Sequence, residues 1–115
     1  MHKTVRGVAK RVLVVGAPAD DAPVSPDAVL ASDGMLIIME EDADRAAEIR
    51  LRALNDGASN RTVINGDPRR VVYKLAGPFD VIFCSRAYMS LRPQLEKLLG
   101  GDGVFIIDGE PAAAD

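Results

Sequence analysis

Two stretches decide the reading of this chain: Met35-Leu-Ile-Ile-Met-Glu40, and then Arg61-Thr-Val-Ile-Asn-Gly-Asp67. Each contains an apolar run, closed by an acid in the first case and by a Gly-Asp pair in the second. Three more runs share the pattern: Arg11 to Val15, Asp80 to Phe83 and Val104 to Ile107. A short continuous apolar run without alternation is the pattern of a strand buried on both faces. In an open parallel sheet, ligands bind outside the carboxyl ends of the strands. The residues that follow the runs are therefore the first place to look for a site.

Helical patterns separate the runs. A short helix is predicted behind Ser25 as N-cap and Pro26 at the first helical position, running through Asp27 to Ala31. Asp33-Gly34 reads as the turn into the second strand. The clearest helix follows Glu40, with Asp42 as N-cap and Gly57 just past its end. Ala43, Ala46, Ala47, Leu51 and Leu54 fall on one face at helical spacing and are expected to point inward. Asp67-Pro68 opens a third helix, with Val71, Val72 and Leu75 inward, and Gly77-Pro78 stops it. Tyr88, Leu91, Leu95 and Leu98 mark a fourth, ended by Gly100-Gly101. Strands alternating with helices imply right-handed βαβ units and a three-layer α/β fold with a parallel Rossmann-like sheet. Residues 1–10 read as an N-terminal arm, 11–109 as the domain and 110–115 as a C-terminal tail.

Composition bounds the function. At 115 residues the chain is one domain, and 48% hydrophobic with 27% charged residues makes it globular. A net charge of −3 argues against a nucleic-acid partner, which needs a basic surface. The longest apolar run is far below membrane-spanning length and no signal peptide is read at the start, so a cytoplasmic protein without a membrane partner is expected. Cys84 is the only cysteine and His2 the only histidine. An intramolecular disulfide and a Cys/His zinc site are thereby excluded. A Ser-His-Asp triad would have to use His2, in the arm.

Several residues can carry chemistry, each with an alternative role. Glu40 ends a buried strand, where a carboxylate accepts both hydroxyls of a ribose; it also suits a helix start. Asp67 either bonds an adenine amino group or caps the third helix, and one carboxylate can do both. Gly16 allows close backbone approach after the first strand, or simply ends it. Asp20 and Asp21 are paired acids in a proline-rich loop, read as a cation site or as solvated residues. Asp108, after the last strand, is a metal ligand, a base or a turn residue. Cys84 reads as a buried inert thiol and Tyr88 as core.

With these residues in place, the stretch from Arg11 to Asp108 resembles the class I S-adenosylmethionine-dependent methyltransferases. Within them it is most similar to the small catechol and caffeoyl-CoA O-methyltransferase-like group. The resemblance rests on Gly34-Met-Leu-Ile-Ile-Met-Glu40 with Asp42, on Ala46 to Arg50, and on Arg61-Thr-Val-Ile-Asn-Gly-Asp67. It rests also on Leu75-Ala-Gly-Pro-Phe-Asp-Val-Ile-Phe83 and Leu98-Leu-Gly-Gly-Asp-Gly-Val-Phe-Ile-Ile-Asp108. It implies five strands in the order 3-2-1-4-5, the ribose acid at Glu40 and the adenine contacts at Gly66 and Asp67. Gly16 and Ser85 complete the cofactor-binding set it implies.

The chain also departs from that family. Pro18 and Asp20 stand in the glycine-rich first loop, and Val14 replaces an acid inside the first strand. Ser85 replaces a metal-binding aspartate, and a later Asp-Asn pair becomes Asp108-Gly109. The stretch lacks the N-terminal cap helices, the final helix and the final antiparallel strand pair. The resemblance thus implies a methyltransferase-like protein for small-molecule hydroxyls, with its methionine-binding and catalytic halves degenerate. Weak or absent S-adenosylmethionine binding and no metal are expected. The alternative is a non-catalytic pseudo-methyltransferase, a binding or dimerisation module. The partners expected are a small-molecule ligand and a second copy of the chain. A homodimer is expected because Val104-Phe-Ile-Ile107 would leave an apolar edge strand without a charge or proline to blunt it.

Overall fold

Val12 to Val15 are at most 1% exposed, shielded on both faces, and the rest of the molecule is arranged around them. The computed structural model describes residues 8–16, 26–107 and 110–111. The predicted arm up to residue 7, the Ser25 cap, the loop with Pro18, Asp20 and Asp21, Asp108, and the tail beyond Pro111 lie outside the described residues. Val12 to Val15 belong to β1 (Ala9–Val15), followed by α1 (Pro26–Val29), β2 (Leu30–Glu40) and α2 (Ala43–Asn55). Then come β3 (Arg61–Asn65), α3 (Pro68–Val71) with a 3₁₀ turn at Val72–Lys74, and β4 (Phe79–Cys84). A 3₁₀ segment at Arg86–Leu91, α4 (Arg92–Glu96), β5 (Leu99–Ile107) and β6 (Glu110–Pro111) complete the order.

The sheet runs β3-β2-β1-β4-β5-β6. Its first five strands are parallel, in the expected order 3-2-1-4-5. Because side chains alternate across a strand, β1 feeds two cores. Leu13 and Val15 pack with Met39, Ile82, Val72, Leu91, Leu95 and Phe105 on one face. Val12 and Val14 pack with Val29, Leu36, Ile38, Phe83 and Ile106 on the other, where Ile49 of α2 joins them. Helices on both faces make the three layers.

Five elements differ from the sequence reading; the first helix, expected to run to Ala31, ends at Val29, and Leu30 and Ala31 already belong to β2. In α2 the inward residues are Ala46, fully buried, and Ile49, while Leu51 and Leu54 are 59% and 76% exposed. Apolar residues cover more than half of this helix's circumference, so spacing alone fits two seats. The small Ala46 side chain selects the seat that brings the helix close to the strands. In β2, Asp33-Gly34 is not a turn but lies within the strand. Ala9 pairs with Leu30 while Arg11 pairs with Met35, so β2 spends extra residues in an irregularity there. A Cβ on Gly34 would come within 2.7 Å of the Ala9 carbonyl oxygen, and only glycine allows that approach.

The fourth helix is broken into the 3₁₀ segment and α4, with Pro93 lacking the N–H that a continuous helix would use. Gly100-Gly101 does not end it. Phe79 donates its N–H to Leu98 O at 2.7 Å and pairs with Leu99, which draws both glycines into β5. The β5 edge is not open throughout either. Ile106 and Ile107 pair with Pro111 and Glu110 of the antiparallel β6.

Polar groups fix both margins of the sheet. At the amino end, Asp80 Oδ2 accepts the backbone N–H of Lys10 at 2.8 Å and of Arg11 at 3.0 Å, tying β4 to β1 before their ladder begins at Val12. At the β3 edge, Arg50 Nη2 donates to Val63 O at 2.9 Å. Among the described residues, no helix is long and apolar enough to cross a membrane.

The seat of α2 makes a testable contrast. Ala46→Leu adds bulk where none fits and should cost about 1–3 kcal/mol. Leu54→Ala should change stability by no more than about 0.5 kcal/mol, because the side chain already faces water. Urea unfolding of the two variants checks this; the reverse order would mean that the Leu51 and Leu54 face is the buried one.

Candidate functional site at the carboxyl edge

Three of the strands ending at the carboxyl edge are each extended by one more backbone hydrogen bond. Gly16 donates to Met39 O at 3.0 Å, Ser85 to Val15 O at 2.9 Å and Gly66 to Glu40 O at 3.1 Å. These bonds hold the residues just past β1, β4 and β3 in register with the sheet. The structure therefore brings Gly16, Glu40, Gly66, Asp67 and Ser85 to a single edge.

Glu40 is the one buried charged residue among those described, at 7% exposure. Its Oε2 accepts the Asp42 N–H at 3.0 Å, and its Oε1 pairs with Arg45 Nε at 3.4 Å. Both partners come from the start of α2, whose N-cap is Asp42: its Oδ1 accepts Asp44 N–H at 2.9 Å and Arg45 N–H at 3.4 Å. A carboxylate offers about four acceptor positions. Among the described residues two of these positions are taken, by Asp42 and Arg45.

Asp67 caps α3, its Oδ1 accepting the Arg69 N–H at 3.0 Å. Its Oδ2 has no hydrogen-bond partner among the described residues, so the capping and ligand roles remain compatible. Ser85 caps the 3₁₀ segment, its Oγ accepting the Ala87 N–H at 3.3 Å. Cys84 is buried, as the sequence suggested, with its thiol directed to Ser85 O at 3.3 Å.

Five residues outside the predicted set shape the same edge. Arg45 holds Glu40. Asn65 Nδ2 donates to Glu40 O at 3.0 Å and Glu41 O at 3.1 Å, joining the ends of β2 and β3. Tyr88 leaves the segment after β4 and places its hydroxyl 3.4 Å from Glu41 Oε2, beyond the end of β2. To do so its ring crosses the end of β1. The Arg69 guanidinium sits 5.3 Å from the ring centroid, 3.8 Å from Glu41 Oε1 and 3.4 Å from Asp67 Oδ1. Burial, then the nearby Glu41 and Glu40 carboxylates, push the Tyr88 phenol above its ordinary range. An asparagine ending a strand beside a glycine was the one signal in the sequence; the other contacts join residues far apart in the chain.

Gly16 has φ of +79°, a conformation that side chains rarely tolerate. A Cβ there would lie 2.9 Å from Ser85 Cβ and 2.9 Å from Tyr88 Cε2. The bare backbone of Gly16 is therefore what seats the Tyr88 ring. Among the described residues, no three His, Cys, Asp or Glu side chains cluster as a metal site.

A parallel sheet in the order 3-2-1-4-5 with helices on both faces defines the class of doubly wound α/β proteins. Comparison with solved structures narrows the fold to that of the class I S-adenosylmethionine-dependent methyltransferases. Cofactor-bound Rv0187 from MTB superposes with a TM-score of 0.71 at 20% identity, over 86% of this chain and 48% of that one. The O-methyltransferase TomG of Streptomyces achromogenes, solved with SAM, gives 0.70 at 19% identity, over 86% and 48%. A methyltransferase from Geobacter sulfurreducens gives 0.66 at 13% identity, over 86% and 52%. The chain thus spans about half the length of these structures. No protein-family model matches its sequence, and no curated protein does.

Gly66 and Asp67 lie beside Glu40 at this edge, Gly66 through its backbone bond to Glu40 O and Asp67 as the cap of α3. The crevice between β1 and β4, where the strand order reverses, holds the Tyr88 ring.

Two measurements follow. Gly16→Ala should destabilise the fold by about 1–3 kcal/mol, through its positive φ and its collision with Ser85 and Tyr88, seen as a lowered urea midpoint. In a Tyr73→Phe background Tyr88 is the last tyrosine, and its tyrosinate absorbance should rise with a midpoint above the ordinary tyrosine value of about 10. A folded pKa above the unfolded one means that the phenol's contribution is complete below about pH 10 and lost as pH rises through the folded value. The folded protein should therefore lose stability on the alkaline side of that window.

Proposed function

We propose that this chain is a methyltransferase-type domain whose carboxyl edge binds an adenosine-containing ligand, S-adenosylmethionine or its demethylated product. The reading is carried by Glu40, a buried carboxylate with acceptor positions to spare, next to Gly66 and Asp67. The ribose hydroxyls would meet Glu40 and the base would lie against Gly66 and Asp67, with Gly16 and Ser85 on the far side. The reaction class is methyl transfer to a small-molecule hydroxyl, supported by the fold shared with O-methyltransferases.

A second reading, a non-catalytic binding or dimerisation module, is favoured by a specific observation. Ser85 spends its hydroxyl on a cap, and Tyr88 stands where the methionine end of the cofactor would pass. The methionine and catalytic halves are accordingly proposed to be degenerate, with binding weak and no magnesium involved. A charge-assisted contact contributes about 1.5–3 kcal/mol, so losing one weakens a ligand by about tenfold or more.

Calorimetry with S-adenosylmethionine and S-adenosylhomocysteine tests the binding. We expect a dissociation constant of about 100 μM or weaker, loosened a further fivefold to tenfold, roughly, by Glu40→Gln. Binding unaffected by Glu40→Gln would remove Glu40 from the site. Transfer of labelled methyl groups to catechols, with and without chelator, separates the two readings: turnover supports the enzyme, and binding without turnover supports the module.

A further inference from the structure

We infer that Tyr88 is a gate on the crevice between β1 and β4, and that a nucleoside ligand enters by displacing its ring. This rests on the proposed adenosine-binding reading and adds how that site is regulated. Three observations carry it. The ring starts from the segment after β4 and its hydroxyl ends at Glu41, after β2, so it spans the end of β1 between them. It lies against Gly16, where even one added carbon would approach within 2.9 Å. It is capped by Arg69, whose guanidinium is braced by Glu41 and Asp67. The ring thus covers the reversal of strand order, the place where such sheets take their ligands.

The closure is built to open. The hydroxyl contact is long, at 3.4 Å, and the Arg69 contacts with Glu41 and Asp67 are long and about half exposed. Tyr88 sits at a break in its own segment: its φ of −111° and ψ of 20° are non-helical between helical neighbours. Rotation about its side-chain bonds moves the ring without disturbing the strand ends, which the Gly16, Ser85 and Gly66 backbone bonds hold. Asp67 both braces Arg69 over the ring and is proposed to meet the base, and Glu41, which takes the ring's hydroxyl, adjoins the proposed ribose acid Glu40. Occupancy by the ring and occupancy by the ligand therefore exclude one another.

A site competent only part of the time shows an affinity reduced by the competent fraction. A gate open about one-tenth of the time weakens binding about tenfold. Removing the ring by Tyr88→Ala should therefore tighten S-adenosylhomocysteine binding by about tenfold in calorimetry. Tyr88→Phe, which loses only the hydroxyl contact, should tighten it by less. A second measurement needs no change at Tyr88. In the Tyr73→Phe background, quenching of Tyr88 fluorescence by acrylamide should increase when S-adenosylhomocysteine is added, because the displaced ring meets solvent.

The outcomes separate the gate from the site. Binding that Tyr88→Ala leaves equal or weaker, or a Tyr88 ring that stays protected with ligand bound, overturns the gate and leaves the adenosine site standing. Failure of S-adenosylhomocysteine and adenosine to bind the parent and Tyr88→Ala alike overturns both.

Discussion

The structure depends on β1 being buried on both faces and held between two parallel neighbours. Its Val12–Val15 segment pairs residue for residue with Leu36–Met39 on one side and Val81–Cys84 on the other. A parallel strand so placed must be apolar on both faces, and its connections must cross above or below the sheet. Both helical layers follow from that. So does the position of the site, since β2 and β4 leave β1 in opposite directions and open a crevice at its end. Gly16, the residue just past β1, touches everything there: β2 through its N–H, Ser85 and Tyr88 through its missing side chain.

The parts of the fold written in local pattern were legible from sequence. The five strands, the Asp42 and Asp67 caps and the turn at Gly57 each depend on a few consecutive residues. The seat of α2 was not legible, because Ala43, Ala46, Ala47, Leu51 and Leu54 form a stripe as good as the one containing Ile49. Which stripe turns inward is decided by the surface it meets. Asp33-Gly34 and Gly100-Gly101 carry turn signals, yet both lie in strands. In each case a neighbouring strand, through Ala9 or Phe79, recruits them into an irregular pairing that local sequence does not encode.

The site divides along the same line. That Glu40, Gly66, Asp67, Gly16 and Ser85 share one edge was legible because each lies at or just past a strand end, and topology sends all such residues to one edge. Tyr88, Arg69 and Glu41 were not assembled, because 47 positions separate Tyr88 from Glu41. Tyr88 was read as core, and part of its ring does pack against the core cluster. Its hydroxyl, however, reaches across to the acid. Arg45 illustrates a subtler case: it lies five positions after Glu40, but only the α2 cap turns its guanidinium back towards the carboxylate.

One contact at the far margin has a consequence for the chain's behaviour in a crowded solution. A strand at the rim of a sheet invites a stranger's backbone to continue the ladder, which is how many proteins begin to aggregate. β3 is only five residues long. Near its middle the Val63 carbonyl is already taken by the Arg50 guanidinium. An incoming strand would have to evict a charged group to gain an uninterrupted row of bonds. A side chain from α2 thus protects the rim against unwanted sheet growth, without the proline or bulge by which other proteins do so.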